Sequence, residues 1–274
     1  MHYSRYFVTL RIRNPKKTMG ATILYKYLDA DGGLKMLTNS NLQFTNATRL
    51  NDPFDCHPAM FDYSHVPPRD YDWPTAEFIS HMEERFNENL RYNTWVCSLS
   101  KVHDSILMWA YYGNHEGVCV GLDIEKADKY LSKIICANYI GAMKMEIQYK
   151  DIIDKPDFFR DVEDHFCYLL STKAKAWEHE KEVRMLLINP NSGCTPAHLP
   201  SEPKDENEIN EWEEVRFYPR IGGECFESLY LGINIDKDKR EELIKVAKER
   251  NPNIKIYQMT IDPDAFRLKE ELIK

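Results

Sequence analysis

The run Gly117-Val118-Cys119-Val120-Gly121-Leu122-Asp123 is almost continuously apolar. A short run of this kind is typical of a strand buried on both faces at the centre of a sheet. On either side of it, patterns rich in β-forming residues predict strands at 21–27, 41–45, 94–98, 146–149, 182–188, 228–235 and 254–261. Helical spacing predicts helices at 74–92, 106–112, 124–133, 156–176 and 237–249.

Capping residues predict where two short helices begin. Asp29 or Asp31 is expected to cap a short helix over Leu34 and Leu37, and Asp104 is expected to cap the helix at 106–112. Strands outnumber long helices and do not alternate with them regularly, which favours an α+β fold over a doubly wound sheet. We therefore expect a mixed, mostly antiparallel central sheet with flanking helices.

Domain organisation follows from the remaining segments. Residues 1–20 are expected to form a leader, and 21–274 a single α+β domain. A polar loop or insertion is expected at 189–214, because seven acids stand against one lysine within 201–214.

Composition narrows the classes of function. The net charge of −8 argues against a general binder of nucleic-acid backbones, which relies on clustered Lys and Arg. None of the seven cysteines forms a C-x-x-C pair, so zinc ribbons and thioredoxin-like redox motifs find no support. Neither a secretory signal nor an apolar run long enough to span a bilayer is visible, so we expect a soluble, cytoplasmic protein without a membrane partner.

The first candidate segment is Asn51-Asp52-Pro53-Phe54-Asp55. A proline that fixes the backbone between two carboxylates could present Asp52 or Asp55 to a ligand or a metal ion. The alternative is a structural corner, because Asn and Asp before proline readily form Asx-turns.

The second candidate is Met108-Trp109-Ala110-Tyr111-Tyr112. On a helix, Trp109 and Tyr112 are three residues apart and share a face, which could stack on a planar base or a nicotinamide. The alternative is that these aromatic rings pack into the core beneath the sheet.

The third candidate segment runs from Trp177 to Arg184. Four charged residues would share one face if it were a continuous strand: Glu178, Glu180, Glu182 and Arg184. Three aligned carboxylates repel one another unless cations lie among them, and Arg184, Lys173, Lys175 or a substrate could provide that charge. The alternative is a charged helix end that continues into a strand, with Glu182 and Arg184 paired on an exposed face.

The order of these motifs resembles a bacterial and phage family catalogued as domain of unknown function 2971. The resemblance runs from about residue 21 to about residue 188. The matching stretches are Tyr25-Lys26-Tyr27, Asn51-Asp52-Pro53-Phe54-Asp55, Cys97-Ser98-Leu99-Ser100, Leu107-Met108-Trp109-Ala110-Tyr111-Tyr112, Gly117-Val118-Cys119-Val120-Gly121-Leu122-Asp123, and Lys175 through Trp177 to Glu180, Glu182 and Arg184.

The layout of that family is similar, at the level of the fold, to ADP-ribosyltransferases. Those proteins place a polar residue on an early strand, a Ser, Thr or Tyr on a middle strand, and a Glu on a late strand. The resemblance implies Tyr25 or Lys26 for the first position, Ser98 or Ser100 for the second, and Glu180 or Glu182 for the third. It also implies NAD as the substrate, without a metal ion. Tyr25-Lys26-Tyr27 stands where those enzymes usually carry Arg or His.

Three hypotheses of function result. The first is an ADP-ribosyltransferase-like enzyme of bacterial or phage conflict that cleaves NAD or transfers its ADP-ribose. The second is a non-catalytic module that binds a nucleotide or a protein, and the third is a phosphodiesterase or nuclease that uses acids around Mg²⁺. Under the first hypothesis the catalytic candidates are Glu182 and Glu180, and the NAD-binding candidates are Tyr25, Lys26, Asn51, Asp52, Asp55, Ser98, Trp109, Tyr112 and Arg184.

Overall fold

The computed structural model describes residues 23–66, 68, 75–86, 91–138, 140–160, 165–188, 212–213 and 216–273. The leader predicted at 1–20 lies outside these residues. Of the acidic loop predicted at 189–214, only 212–213 lie inside them.

The described residues form six α-helices and thirteen strands. The helices are α1 (Ala30–Asn39), α2 (Thr75–Phe86), α3 (Ile106–Gly113), α4 (Ile124–Asn138), α5 (His165–Ser171) and α6 (Lys237–Arg250). The strands are β1 (Ile23–Leu28), β2 (Phe44–Asn46), β3 (Thr94–Ser100), β4 (Val118–Asp123), β5 (Ile140–Glu146), β6 (Gln148–Lys150), β7 (Thr172–Ala174), β8 (Glu182–Ile188), β9 (Trp212–Glu213), β10 (Arg216–Phe217), β11 (Phe226–Leu231), β12 (Lys255–Ile261) and β13 (Leu268–Leu272).

Eleven of these strands form one sheet. Its main path runs β13-β12-β11-β4-β1-β3-β2-β10-β9, with β8 beside β3 and β5 beyond β8. Within this sheet β11 and β12 are parallel and the other described pairs are antiparallel. A separate parallel pair joins β6 to β7. The predicted α+β class and the mostly antiparallel sheet are therefore confirmed.

The two faces of β4 explain its position inside the sheet. Val118, Val120 and Leu122 belong to the main core, which also contains side chains of α1, α4 and α6. Cys119 points to the opposite face and packs in a second cluster with Tyr27. All six residues of β4 are buried. The strand predicted from the apolar run is therefore buried on both faces, as expected.

The sheet divides at β3. One edge of β3 pairs with β8 along its whole length, from Thr94 opposite Ile188 to Ser100 opposite Glu182. The opposite edge pairs with β2 at one end and with β1 at the other. Consequently β3 brings β1 and β8 together, although they are far apart in the chain.

Several local predictions need correction. α3 begins at Ile106, so the preceding Ser105 caps it and accepts a hydrogen bond from the Met108 amide, and the predicted cap Asp104 does not. α1 is capped by Asp29, one of the two predicted candidates. The helix predicted at 156–176 reduces, in the described residues, to α5 followed by β7. β13 was not predicted, because its sequence alternates poorly between apolar and polar residues.

The segment before β8 also differs from the prediction. Residues Lys175–Glu180 form a 3-10 turn and do not continue β8 as a strand. Lys181 has a φ of 48°, in the left-handed region, and separates this turn from β8. Glu178 is therefore exposed, whereas Glu180 and Glu182 are buried.

Candidate functional site

Arg184 lies at the centre of a buried network of charges. Its side chain is fully buried, with 0% of its surface exposed. Two of its nitrogens donate to the two carboxylate oxygens of Asp55, with Nη1–Oδ1 at 2.8 Å and Nη2–Oδ2 at 2.5 Å. A third hydrogen bond runs from Nη1 to the Leu170 carbonyl at 3.0 Å. The planar guanidinium thus fixes the loop at residues 51–55 against β8.

Glu182 lies between two cations. Its Oε1 accepts a hydrogen bond from Arg184 Nε at 2.8 Å, and its Oε2 accepts one from Lys173 Nζ at 3.0 Å. A side-chain hydrogen bond also joins Glu182 to Ser98, the residue opposite Arg184 on β3. Its backbone amide donates to the hydroxyl of Tyr149 at 2.7 Å. Both carboxylate oxygens of Glu182 are therefore occupied by protein groups.

Glu180 extends the network towards the surface. Its Oε2 accepts a hydrogen bond from Lys173 Nζ at 2.5 Å, so Lys173 bridges Glu180 and Glu182. Its Oε1 accepts a hydrogen bond from the Tyr112 hydroxyl at 2.6 Å. Tyr112 is 37% exposed, and it therefore connects the buried carboxylates to solvent.

The charges of this network do not balance. Arg184 and Lys173 carry two positive charges, whereas Asp55, Glu180 and Glu182 carry three negative ones. Within these five side chains one negative charge is in excess, and all five are buried, where an unbalanced charge is costly. A ligand that brings a positive charge to this region would offset it.

The pKa of Glu182 reports the strength of these contacts. Burial by itself would raise this pKa, but Arg184 and Lys173 outweigh burial and lower it from the ordinary 4.5 to about 2. The pKa of Lys173 is raised because Glu182 and Glu180 outweigh the effect of burial on its ammonium group. Burial raises the pKa of Tyr112, and the negative charge of Glu180 raises it further.

The lowered pKa predicts a loss of stability in acid. Because the folded-state pKa is below the unfolded one, the contribution of Glu182 is fully present above pH 4.5 and is lost as the pH falls towards 2. The shift corresponds to a loss on the order of 3 kcal/mol. Urea unfolding between neutral pH and pH 2.5 measures it.

Two variants control this pH experiment. Glu182→Gln should have a lower free energy of unfolding at neutral pH. That free energy should also fall much less between neutral pH and pH 2.5 than it does in the unchanged protein. Asp31→Asn removes an exposed carboxyl whose pKa is also lowered, by Lys239, and should keep that dependence. If the stability of Glu182→Gln fell with acid as steeply as that of the unchanged protein, Glu182 would not be the source of the pH dependence.

The loop at residues 51–55 combines both roles considered from the sequence. Asp52 Oδ1 accepts a hydrogen bond from the Phe54 amide at 2.9 Å, which is the expected Asx-turn. Its Oδ2 is buried and has no hydrogen-bond partner among the described residues. At the start of the loop, the side chain of Asn51 lies beside the Tyr112 hydroxyl. The loop is a structural corner that also contributes polar groups beside Tyr112.

Three predicted residues lie apart from this network. Trp109 is buried against Tyr27, with the ring centroids 5.5 Å apart, so it belongs to the core and offers no face for stacking. Tyr25 contacts His103 at a ring distance of 5.0 Å. Lys26 alternates with Tyr25 and Tyr27, so it points to the opposite face of the sheet, and its Nζ donates to the Ser98 carbonyl at 2.9 Å.

Sequence reasoning underrated Lys173 and did not consider Tyr149. They are register partners in the parallel pair of β6 and β7, which places both beside Glu182. The excess of acids before β8 did indicate that a nearby cation was needed. The choice of Lys173 over Lys175 depends on the path of β7, because Lys175 lies on the surface and pairs with Asp151.

An aromatic surface borders Tyr112. Tyr111 is exposed and its ring lies 5.6 Å from that of His179. Trp177 lies 6.2 Å from His179, and Lys173 Nζ lies 4.9 Å from the Trp177 ring centroid. The surface above the network therefore offers planar side chains, which bind flat ligands with little entropic cost.

The described residues contain no group of three or more His, Cys, Asp or Glu side chains placed to hold a metal ion. Within the same part of the chain, every helix is too short or too polar to cross a membrane.

The fold and the site define an α+β protein with a buried network of charges next to an aromatic surface. A family model described as "Protein of unknown function (DUF2971)" matches residues 108–185. This segment contains Tyr112, Glu180, Glu182 and Arg184, and the match confirms the resemblance to that family. No curated protein and no solved structure matched the chain significantly.

Proposed function

We propose that this protein binds NAD in an ADP-ribosyltransferase-like manner and cleaves it, or transfers its ADP-ribose to an acceptor. The observation that carries the proposal is a line of three register partners across adjacent strands. Tyr25 on β1 is opposite Ser100 on β3, and Ser100 is opposite Glu182 on β8. Paired residues of antiparallel strands share a face. One candidate for each of the early, middle and late positions therefore lies on the same face of the sheet. The Ser100 hydroxyl also donates to the Glu180 carbonyl at 2.7 Å, so the other Glu candidate is held beside the same line.

The charge of the network supports one orientation of NAD. The nicotinamide ring of NAD⁺ is a planar cation with an amide, whereas the pyrophosphate is anionic. An excess negative charge beneath Tyr112 and Trp177 favours the cationic ring and disfavours the phosphates. The exposed amide of Asn51 lies beside Tyr112, where it would pair with the carboxamide.

The same charge would assist the reaction. When the bond between nicotinamide and ribose breaks, the bonding electrons leave with the neutral nicotinamide and positive charge develops on the ribose. A nearby carboxylate stabilises that charge. Glu180 is bonded to the partly exposed Tyr112 and is the closer of the two candidates to the surface, so we assign it this role. Glu182 holds Lys173 and Arg184 in place.

The test compares NAD⁺ with NADH as ligands, and the unchanged protein with its Glu180→Gln variant. Calorimetry should show NAD⁺ binding at least ~10-fold more tightly than NADH, because the reduced ring is neutral. Glu180→Gln should reduce release of nicotinamide by at least ~100-fold. Glu178→Gln is the matched control, because Glu178 lies on the same turn and is exposed. Thermal unfolding of each variant verifies the fold. Absence of NAD⁺ binding at millimolar concentration would contradict the proposal.

A non-catalytic module that binds a nucleotide or a protein is the second candidate. It is favoured by the burial of Asp55, Glu180 and Glu182, which are at most 3% exposed and bonded to protein groups. Binding of NAD⁺ without release of nicotinamide would favour this function. Turnover that requires Mg²⁺ and stops with a chelator would instead favour the metal-dependent hypothesis.

The state of the cysteines bears on the cellular compartment of the protein. Four buried cysteines of the described residues are free thiols: Cys56, Cys97, Cys119 and Cys225. Free thiols are typical of a reducing compartment, where NAD is also available. We propose a cytoplasmic protein on this basis.

A further inference from the structure

The exposed face of α3 has a composition that the NAD proposal does not explain. None of the eight residues of α3 carries a charge. Met108 and Trp109 are buried, but Ile106, Leu107 and Tyr111 are 42%, 45% and 65% exposed. Leu107 and Tyr111 are four residues apart, so their side chains are neighbours on the helix surface. Large exposed apolar side chains grouped in this way are typical of a binding surface.

Three acids flank this apolar face, two of them along the chain and one on the neighbouring turn. Asp104 precedes α3, and Glu116 follows it. Glu178 belongs to the 3-10 turn that contacts Tyr111 through His179. These three carboxylates are exposed and form no ion pair within the part of the chain described. The buried network beneath adds a further excess of negative charge.

We infer that this face of α3 docks a cationic amphipathic segment of a partner protein. Apolar side chains one helical turn apart on the partner would contact Leu107 and Tyr111, and flanking Lys or Arg would face the acids. The net charge of −8 would accelerate the encounter with such a partner. A second copy of this chain would bring the same acids together and would be repelled.

The probe is a fluorescent synthetic peptide about four helical turns long, with Leu on one face and Lys and Arg on the other. Anisotropy in the absence of nucleotide should show binding with a Kd of about 10 μM or tighter, weakening as salt is added. A peptide with Glu in place of Lys and Arg should not bind, and neither should one with Ser in place of Leu. Because no nucleotide is present, this result and that of the NAD experiment are independent.

Matched variants of the protein locate the contact. Leu107→Ser with Tyr111→Ser should weaken peptide binding at least ~10-fold. Ile261→Ser with Phe266→Ser is the control, because both residues are exposed and apolar but belong to the end of β12 and the turn after it. Peptide binding should not change in this variant. Circular dichroism verifies that both double variants fold.

Three outcomes would overturn the inference. One is an absence of peptide binding. Another is an equal loss of peptide binding in both double variants, which would mean that the peptide associates nonspecifically. The last is a concentration-dependent dimer that disappears in Leu107→Ser with Tyr111→Ser. The exposed face of α3 would then bind a second copy of the chain and not a partner protein.

Discussion

Arg184→Met is expected to lower the free energy of unfolding by about 3–5 kcal/mol, the range for breaking a buried ion pair from one side. The guanidinium is fully buried and makes hydrogen bonds to Asp55, Glu182 and the Leu170 carbonyl. Methionine has a similar length, so the variant leaves little empty space. It does leave the carboxylate of Asp55 without its cation, and Glu182 with only Lys173. Urea unfolding at neutral pH measures the loss.

A cycle of variants distinguishes the ion pair from general disruption. Asp55→Asn with Arg184→Met should lose less stability than the two single losses added together, because the two residues interact directly. Arg267→Met is the surface control: Arg267 also pairs with an Asp, at 2.6 Å, but it is mostly exposed. Arg267→Met should lower the free energy of unfolding by only a small fraction of the amount expected for Arg184→Met. Equal losses for Arg184 and Arg267 would refute a special contribution of the buried network.

Gly117→Ala is the second change expected to have a large effect, a loss of about 3 kcal/mol or more. An added Cβ at this position would lie 2.2 Å from the Leu28 carbonyl oxygen and 2.9 Å from the Gly113 Cα. Both are backbone atoms, so the contact can be relieved only if α3 or the end of β1 moves.

Gly113→Ala is the matched control for this change. Its added Cβ would lie 3.2 Å from the same carbonyl oxygen of Leu28, which requires a shift of only a few tenths of an ångström. Chemical denaturation should therefore show a much smaller loss for Gly113→Ala. A loss for Gly117→Ala no larger than the control's would show that the backbone adapts there.

The close approach at Gly117 also bears on the candidate site. The Gly117 amide donates to the Gly113 carbonyl at 2.9 Å, and the Gly117 carbonyl accepts from the Gly232 amide at 2.9 Å. These contacts hold the end of α3 against β1 and β11. Tyr112 is the residue before Gly113, so the same packing sets the position of its hydroxyl relative to Glu180. Gly117→Ala should therefore impair any NAD binding as well as stability.

Much of the fold follows from local patterns. β-forming composition predicts β1 and β8, and the continuous apolar run predicts β4. Helical spacing predicts α4 and α6, because a helix face repeats about every 3.6 residues. The same sequence predicts which segments hold the candidate site. Asn51–Asp55, Tyr112 and the charged residues before and within β8 do converge.

Local patterns were not sufficient for the segment at 175–184. The left-handed conformation of Lys181 ends a 3-10 turn and begins β8, so Glu178 turns outward while Glu180 and Glu182 remain buried. A left-handed lysine is unusual, and sequence preference gives no warning of it. This turn therefore separates the exposed Glu178 from the buried Glu180 and Glu182.

The sequence alone determines the α+β class, the central strand and the segments that carry the charged and aromatic residues. Only the tertiary structure decides which of these residues meet. Arg184 and Asp55 are 129 residues apart, and Tyr112 and Glu180 are 68 apart. Periodicity reports which side of an element is buried but not which distant element covers it. For the same reason, the burial of Trp109 depends on distant strands, since residues of β1, β4 and β11 pack around it while its neighbours on α3 stay exposed.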